Sequence, residues 1–328
     1  MGFEKCDYEH TLFIKTDQRG KILIVSVYVD DLMYTGTDPL MFTSFVSSMK
    51  QKFDMTDLGN IRYFLGLEVL QFPNNIFISQ RKYALEVVKR FGMNDSNSVK
   101  NPIVPGVKIS KDIGSDERVD KSHYEQLVGS LMYLTTATRL NLSYVVGLFS
   151  RYMENPSVKH KLVAKRVLRY LKGTAHFGIR YKKGKVNELI AYTDSNYAGD
   201  IDDRKSTSGY VFMFSSGAVS WSSKKQPVVS LSTTEAEFIA AAAYLHGRSK
   251  HINVRFHFLR EMSKDGIINL VYCASQEQLA DLMTKPLKLG TFLELRKSLG
   301  VCSELEVNCK SEDKMRSCSL REDVEDTN

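Results

Sequence analysis

Two adjacent acids, Asp30 and Asp31, stand between two apolar runs, Lys21-Ile-Leu-Ile-Val-Ser-Val27 before Tyr28-Val29 and Leu32-Met33-Tyr34-Thr35 after. The β-branched and aromatic residues on both sides predict two strands, and the polar junction predicts a hairpin with the acids at its tip. The opening of the chain is thereby constrained to antiparallel sheet. Side chains alternate between faces along a strand, so Asp30 and Asp31 are expected to point to opposite sides. One is then placed to face a divalent cation while the other supports it, since buried paired acids are costly unless a metal or a base compensates them. Asp is also a common turn residue, so the spacing fits a plain polar turn as well as a metal site.

The pattern that follows mixes strands and helices. Asp38 as N-cap and Pro39 as first residue predict a helix to Phe53, with Phe42, Phe45, Val46 and Met49 on one face. Tyr63–Leu70 and Ile76–Ser79 read as strands joined across Pro73-Asn74-Asn75, and Arg81–Phe91 as a helix stopped by Gly92. Residues 96–120, with Pro102, Pro105, Gly106 and Gly114, form a linker, and Tyr124–Met153 is helical. Leu189–Asp194, Gly209–Phe214, Ala218–Trp221 and Val228–Leu231 read as strands, followed by a helix from Ser232. Ser232 and Glu235 have capping-box spacing, which gives Glu235 a structural role; Glu237, two positions on, faces elsewhere.

Charge is unevenly distributed. The 328 residues carry a net charge of +7, but residues 302–328 hold eight acids and four bases, which leaves the preceding body near +11. Between Ser157 and Lys185 there are ten Lys and Arg and no acid. Lys159, Lys161, Lys165, Arg166, Arg169 and Lys172, with Lys224 and Lys225 further on, are the candidate phosphate contacts, and Tyr170 and Tyr181 add aromatic area near the charge. A solvated helix face explains the same pattern. No apolar run is long enough to cross a membrane, so no membrane partner is expected and the expected compartment is cytoplasm or nucleus. Five Cys, an odd number with no Cys-x-x-Cys pair, argue against a disulfide framework or a zinc knuckle. His246, His251 and His257 match no zinc spacing and read as packing or solvated residues.

Several phrases, in order, resemble the Pol polyprotein of copia-type retrotransposons up to about Gly300. Gly2-Phe3, Leu12-Phe13, Tyr28–Asp31, Thr35-Gly36, Met55–Gly59 and Phe64–Glu68 resemble its reverse-transcriptase palm. Val128–Leu134 and Leu142–Tyr144 resemble its helical thumb and connection. Tyr192–Gly199, Trp221–Gln226, Ser232–Glu237 and Ala280-Asp281-x-x-Thr284-Lys285-Pro286-Leu287 are similar to its ribonuclease H domain. The resemblance implies an α+β, α/β multidomain chain: a partial palm over 1–95, a linker and helical connection over 96–185 and a ribonuclease H-like mixed sheet over 186–300. The polar, mixed-charge composition of 301–328 predicts a flexible tail. It implies that Asp30 and Asp31, and separately Asp194, Glu237 and Asp281, are catalytic, metal-binding acids for Mg²⁺ or Mn²⁺. The partners implied are RNA, DNA and the RNA–DNA hybrid.

The chain departs from the family in three places. Arg139-Leu140-Asn141 stands where the family has Arg-Pro-Asp, so a weaker helix break is expected there. The strand that carries another ribonuclease H acid, in a Cys-Asp-Asn phrase, is missing: Phe238–Tyr244 runs directly into Leu245–His251. Glu261 or Asp265 would have to replace that acid, and the neighbouring sheet edge is expected to be left unpaired. A further palm Asp, upstream of the hairpin in the family, is missing too, so no useful polymerase activity is expected. Three readings follow: a fragment with residual ribonuclease H activity, a non-catalytic nucleic-acid-binding module, or an inert relic of a decayed element.

Overall fold

The structure is a computed structural model that describes residues 2–111, 119–184, 188–246, 264–266, 268–269 and 271–308. Two compact units divide between Ile61 and Arg62. In the first, β1 (Glu4–Lys5), β2 (Leu12–Thr16), β3 (Ile22–Tyr28) and β4 (Asp31–Gly36) form an antiparallel meander in that order, followed by α1 (Pro39–Lys52). Alternation along β3 turns Leu23 and Val25 inward, where Phe45 of α1 meets them. Each such burial contributes about 1.5–3 kcal/mol. Asp38 caps α1 as its position predicts, its carboxylate accepting the Leu40 amide at 2.9 Å.

The second unit opens with β5 (Tyr63–Phe64), β6 (Leu67–Phe72) and β7 (Asn75–Ser79). The single strand expected from Tyr63 is thus folded on itself. Phe64 pairs with Leu67 across Leu65-Gly66, both at positive φ (47° and 79°), as a two-residue hairpin turn of type I′ requires. A Cβ on Gly66 would lie 2.7 Å from the Tyr133 hydroxyl, which donates to the Leu65 carbonyl at 2.5 Å. Glu68 accepts the Lys82 amide at 2.7 Å and so caps the next helix, α2 (Arg81–Arg90), whose own N-cap residue, Gln80, makes no side-chain cap bond.

Helices α2, α3 (Lys121–Ala137), α4 (Ser143–Phe149) and α5 (Val158–Gly173) enclose the main core, in which Val128, Leu131, Leu134, Phe149, Val167 and Leu171 are fully buried. The chain breaks after α3 even without the family's proline. Arg139, itself buried, donates to Thr174 O at 2.7 Å and to Thr174 Oγ1 at 2.6 Å, so a side chain reaching the end of α5 holds the turn. Desolvation pushes the Arg139 pKa down to about 10.

Next come β8 (Phe177–Lys182), β9 (Leu189–Asn196), β10 (Thr207–Phe214), β11 (Gly217–Lys225) and α6 (Thr233–His246). After a 3₁₀ helix at Leu279–Met283 the chain ends with α7 (Leu289–Ser298), β12 (Val301–Ser303) and α8 (Glu304–Asn308). Two antiparallel sheets result, one ordered β12-β8-β7-β6-β5 and the other β11-β10-β9. The chain is therefore α+β. Strands from 63–79, 177–182 and 301–303 share one sheet, so the boundaries expected at 95, 185 and 300 all fall inside one connected body.

Two expected elements differ from what is found. Val228–Leu231 is irregular, not a strand: Val228, Val229 and Leu231 are exposed, and the Leu231 amide donates to Glu235 at 2.6 Å in the cap of α6. Residues 301–308 are ordered, not tail; β12 pairs with β8 and buries Val301 and Cys302, and Val307 of α8 is buried beside them. Residues 309–328 lie outside the described residues. Among the described residues β9 pairs with β10 alone, which leaves it at the sheet edge, and no helix is long and apolar enough to cross a membrane.

Candidate functional site

The last turn of β9 gathers most of the candidate chemistry. Asp194 is buried where β9 ends, and its cross-strand partner on β10 is Gly209. Glycine is required there. A Cβ at 209 would fall 2.5 Å from Met283 Cβ and 2.7 Å from Thr284 Cγ2. The missing side chain therefore lets the 3₁₀ helix that carries Asp281 lie directly on the sheet. The Thr284 hydroxyl donates to Asp194 Oδ2. Asn196 fastens the same corner: its amide donates to Thr284 O at 2.7 Å, and its Oδ1 accepts the Thr207 amide at 2.9 Å.

Glu237 arrives from the first turns of α6, where the Ser195 amide donates to its Oε1 at 3.2 Å. The position of α6 is set by Gln226, buried just beyond β11. Its carboxamide nitrogen donates to Ser195 Oγ, Ser208 Oγ and Ala236 O at 3.2, 2.9 and 2.9 Å, and its oxygen accepts from Ser230 Oγ at 2.6 Å. One side chain thus ties β9, β10 and α6 together. Glu235 is part of the helix cap, with its own amide bonded to Ser232 Oγ at 3.0 Å.

Asp194 and Asp281, both buried, and Glu237, an exposed residue, lie close enough to feel one another's charge. The Glu237 pKa is pushed up to about 7, first by desolvation of its carboxyl group and then by the charge of Asp194. Asp281 is also raised, by desolvation and by Asp194, against the opposing effect of Lys285. The positive charge in the cluster is the Lys285 ammonium, 2.8 Å from Asp281 Oδ1 and 3.7 Å from Asp194 Oδ2. Among the described residues no group of three or more His, Cys, Asp or Glu is arranged to hold a metal ion as it stands. In kind and in charge, the hard carboxylate oxygens of these three acids suit a divalent cation.

A carboxyl whose pKa is raised on folding stabilises the fold at low pH, and that contribution is lost as pH rises through the folded value. Wild-type protein is therefore expected to lose thermal stability relative to Glu237→Gln between pH 4.5 and about 7, with Asp281 acting in the same direction in both proteins. Thermal melts across that range test this; a difference between the two proteins that does not change with pH contradicts it.

The other candidate acids lie in the first unit. Asp30 sits in the two-residue turn closing β3 and β4, Asp31 opens β4 opposite Tyr28, and both are exposed. Val29, the other turn residue, holds φ 53°, an uncommon strain for a β-branched residue. The replacement acids divide: Asp265 is exposed in a turn, and Glu261 lies outside the described residues, as do the side chain of His246 and all of His251 and His257.

The basic residues also divide. Arg166 donates to Asn101 Oδ1 at 2.6 Å, Arg169 to Asn97 O at 2.6 Å and Lys172 to Ser96 O at 2.7 Å, so three bases of α5 anchor the 96–101 segment. Lys225 pairs with Asp200 and Asp203 at 3.1 and 2.9 Å. Lys159, Lys165 and Lys224 are exposed and Lys161 is half-buried. Tyr170 is core, bonded by Asn141 and Arg296 at 2.8 and 3.0 Å, and the Tyr181 hydroxyl donates to Ala218 O at 2.7 Å; neither offers the surface ring expected. The residues that sequence reasoning passes over are Gly209, Gln226 and Asn196. A glycine inside a strand does mark a close approach, but nothing in the local pattern singles out Gln226 or Asn196.

Residues 1–105 match the family model described as reverse transcriptase (RNA-dependent DNA polymerase). The chain is 35% identical to the Retrovirus-related Pol polyprotein from transposon RE1 of Arabidopsis thaliana, over 92% of this chain and 23% of that protein. It is 34% identical to the Retrovirus-related Pol polyprotein from transposon TNT 1-94 of Nicotiana tabacum, over 88% of this chain and 25% of that protein. It is also 35% identical to an uncharacterized mitochondrial protein of Arabidopsis thaliana, over 66% of this chain and 89% of that one. The chain thus spans about a quarter of the length of the two polyproteins. No solved structure matches it.

Proposed function

Because this chain belongs to the copia-type retrotransposon Pol family, we propose that it is a polyprotein fragment whose ribonuclease H-like module cleaves the RNA strand of an RNA–DNA hybrid. The observation that carries this reading is the convergence of Asp194, Glu237 and Asp281 on the end of β9. A bound Mg²⁺ or Mn²⁺ would supply Lewis acidity toward a phosphoryl oxygen and a more acidic water. The chain's residues do the rest. Thr284 and Asn196 hold Asp194 and the Asp281 turn in register. Glu237 keeps one oxygen on the Ser195 amide, which leaves its other oxygen, Oε2, available to a cation. Lys159, Lys165 and Lys224, exposed, are the phosphate contacts best placed to meet a nucleic acid, in cytoplasm or nucleus.

Polymerase chemistry is not part of the proposal. Asp30 and Asp31 are exposed at a hairpin tip.

The test is cleavage of a labelled RNA–DNA hybrid with Mn²⁺ by wild-type protein and by Asp194→Asn. Wild-type cleavage falling about a thousandfold in the variant is expected. Equal cleavage by both refutes the reading. Cleavage by neither also refutes it, and leaves a non-catalytic nucleic-acid-binding module or an inert relic.

A further inference from the structure

We infer that Lys285 is a built-in competitor for the divalent cation: its ammonium occupies the oxygens of Asp281 and Asp194 that the cation would take, and it must leave before the site loads. This rests on the cation-site reading of Asp194, Glu237 and Asp281 given above.

The geometry is that of an ion already in place. The ammonium is within 2.8 Å of Asp281 Oδ1 and 3.7 Å of Asp194 Oδ2. Its backbone is held on both sides. Thr284, immediately before it, bonds Asp194 through its hydroxyl and Asn196 through its carbonyl, and Pro286, immediately after it, restricts the conformation of the residue it follows. The side chain, by contrast, is free to leave. It is 42% exposed and carried on a flexible four-carbon stem. A lysine and a divalent cation compete for these oxygens, because two positive charges about 4 Å apart repel by about 1 kcal/mol in water and more in a partly desolvated site. Lys285 therefore does two opposed things. Without metal it offsets the mutual repulsion of three acids and helps hold them together; with metal it is the group displaced.

Opposed effects give a signature that a merely structural lysine lacks. In the full chain, Lys285→Met is expected to lower the melting temperature without metal while tightening Mn²⁺ binding by about tenfold, as read by titration calorimetry at fixed ionic strength. Lys285→Gln, which removes the charge but keeps a polar head, is expected to shift affinity in the same direction and is judged by the same criteria if the Met variant does not fold. Asp194→Asn is the reference for the site itself. Tighter binding in a Lys285 variant, with binding abolished in Asp194→Asn, supports the inference. Unchanged or weaker binding in the Lys285 variants, with Asp194→Asn still abolishing it, overturns the role of Lys285 and leaves the cation site standing. Binding absent from wild-type and Lys285 variants alike, or unaffected by Asp194→Asn, overturns both.

Discussion

Gly209→Ala is expected to destabilise the second unit by about 3 kcal/mol, at the upper end of the usual cost of overpacking. The added methyl has nowhere to go. It would meet Met283 Cβ at 2.5 Å, Thr284 Cγ2 at 2.7 Å and the Met283 carbonyl carbon at 3.2 Å. Two of these three atoms are backbone or directly attached to it, so no flexible side-chain end can swing aside. Relief requires the 3₁₀ helix to lift off β10, and that helix carries Asp281 and positions Thr284 against Asp194. The same substitution should therefore weaken Mn²⁺ binding as well as lower the denaturation midpoint. A midpoint within error of wild type would mean that the 3₁₀ helix does not rest on Gly209 as described.

Gln226→Leu is expected to cost about 3 kcal/mol and to loosen Glu237. Leucine keeps the shape but makes none of the bonds to Ser195, Ser208, Ser230 and Ala236, and each buried polar group left unpaired costs about 1–3 kcal/mol. The hydroxyls can turn toward other acceptors, which keeps the total well below the sum. The informative part is the second effect. Gln226 joins the first turn of α6 to β9, so its loss should weaken the link between the Ser195 amide and Glu237 and lower cation affinity more than stability alone predicts. Denaturant unfolding paired with calorimetric Mn²⁺ titration separates the two. Stability lost with cation affinity unchanged would make Gln226 a packing residue only.

Much of the fold is legible in the sequence because local signals agree with the tertiary outcome there. Asp38 and Pro39 start α1, the 3.6-residue period places Phe45 inward, and the runs around Asp30-Asp31 pair as a hairpin. Short-range rules fail where distant contacts decide. Val228–Leu231 has the apolar, β-branched composition of a strand, but the cap of α6 and the bond from Ser230 to Gln226 take its polar groups instead. Val301–Asn308 reads as polar tail because the partner that orders it, β8, is more than a hundred residues earlier. The Leu65-Gly66 turn hides inside an apolar run whose hairpin is stabilised by Tyr133, far along the chain.

The acids of the site are legible only through family resemblance, since nothing in local spacing brings positions 194, 237 and 281 together. The groups that hold them are less legible still. Gln226 and Asn196 act through bonds across the sheet and to the 3₁₀ corner, and Lys285 acquires its role from the two carboxylates it faces. The basic stretch is legible in another way. Ten bases without an acid fit a phosphate-binding surface or a solvated helix face, and Arg166, Arg169 and Lys172 donate to the 96–101 segment. Charge counts register the sign of a surface and not which of its donors are already engaged.

The central claim is that the chain's cation site is the cluster of Asp194, Glu237 and Asp281, not the hairpin of Asp30 and Asp31. Mn²⁺-induced paramagnetic broadening of backbone amide resonances in the ¹⁵N-labelled full chain tests it most directly. Broadening centred on Ser195, Glu237 and Lys285 is the predicted result. Broadening centred on Val29–Leu32, or none at either place, would contradict the claim.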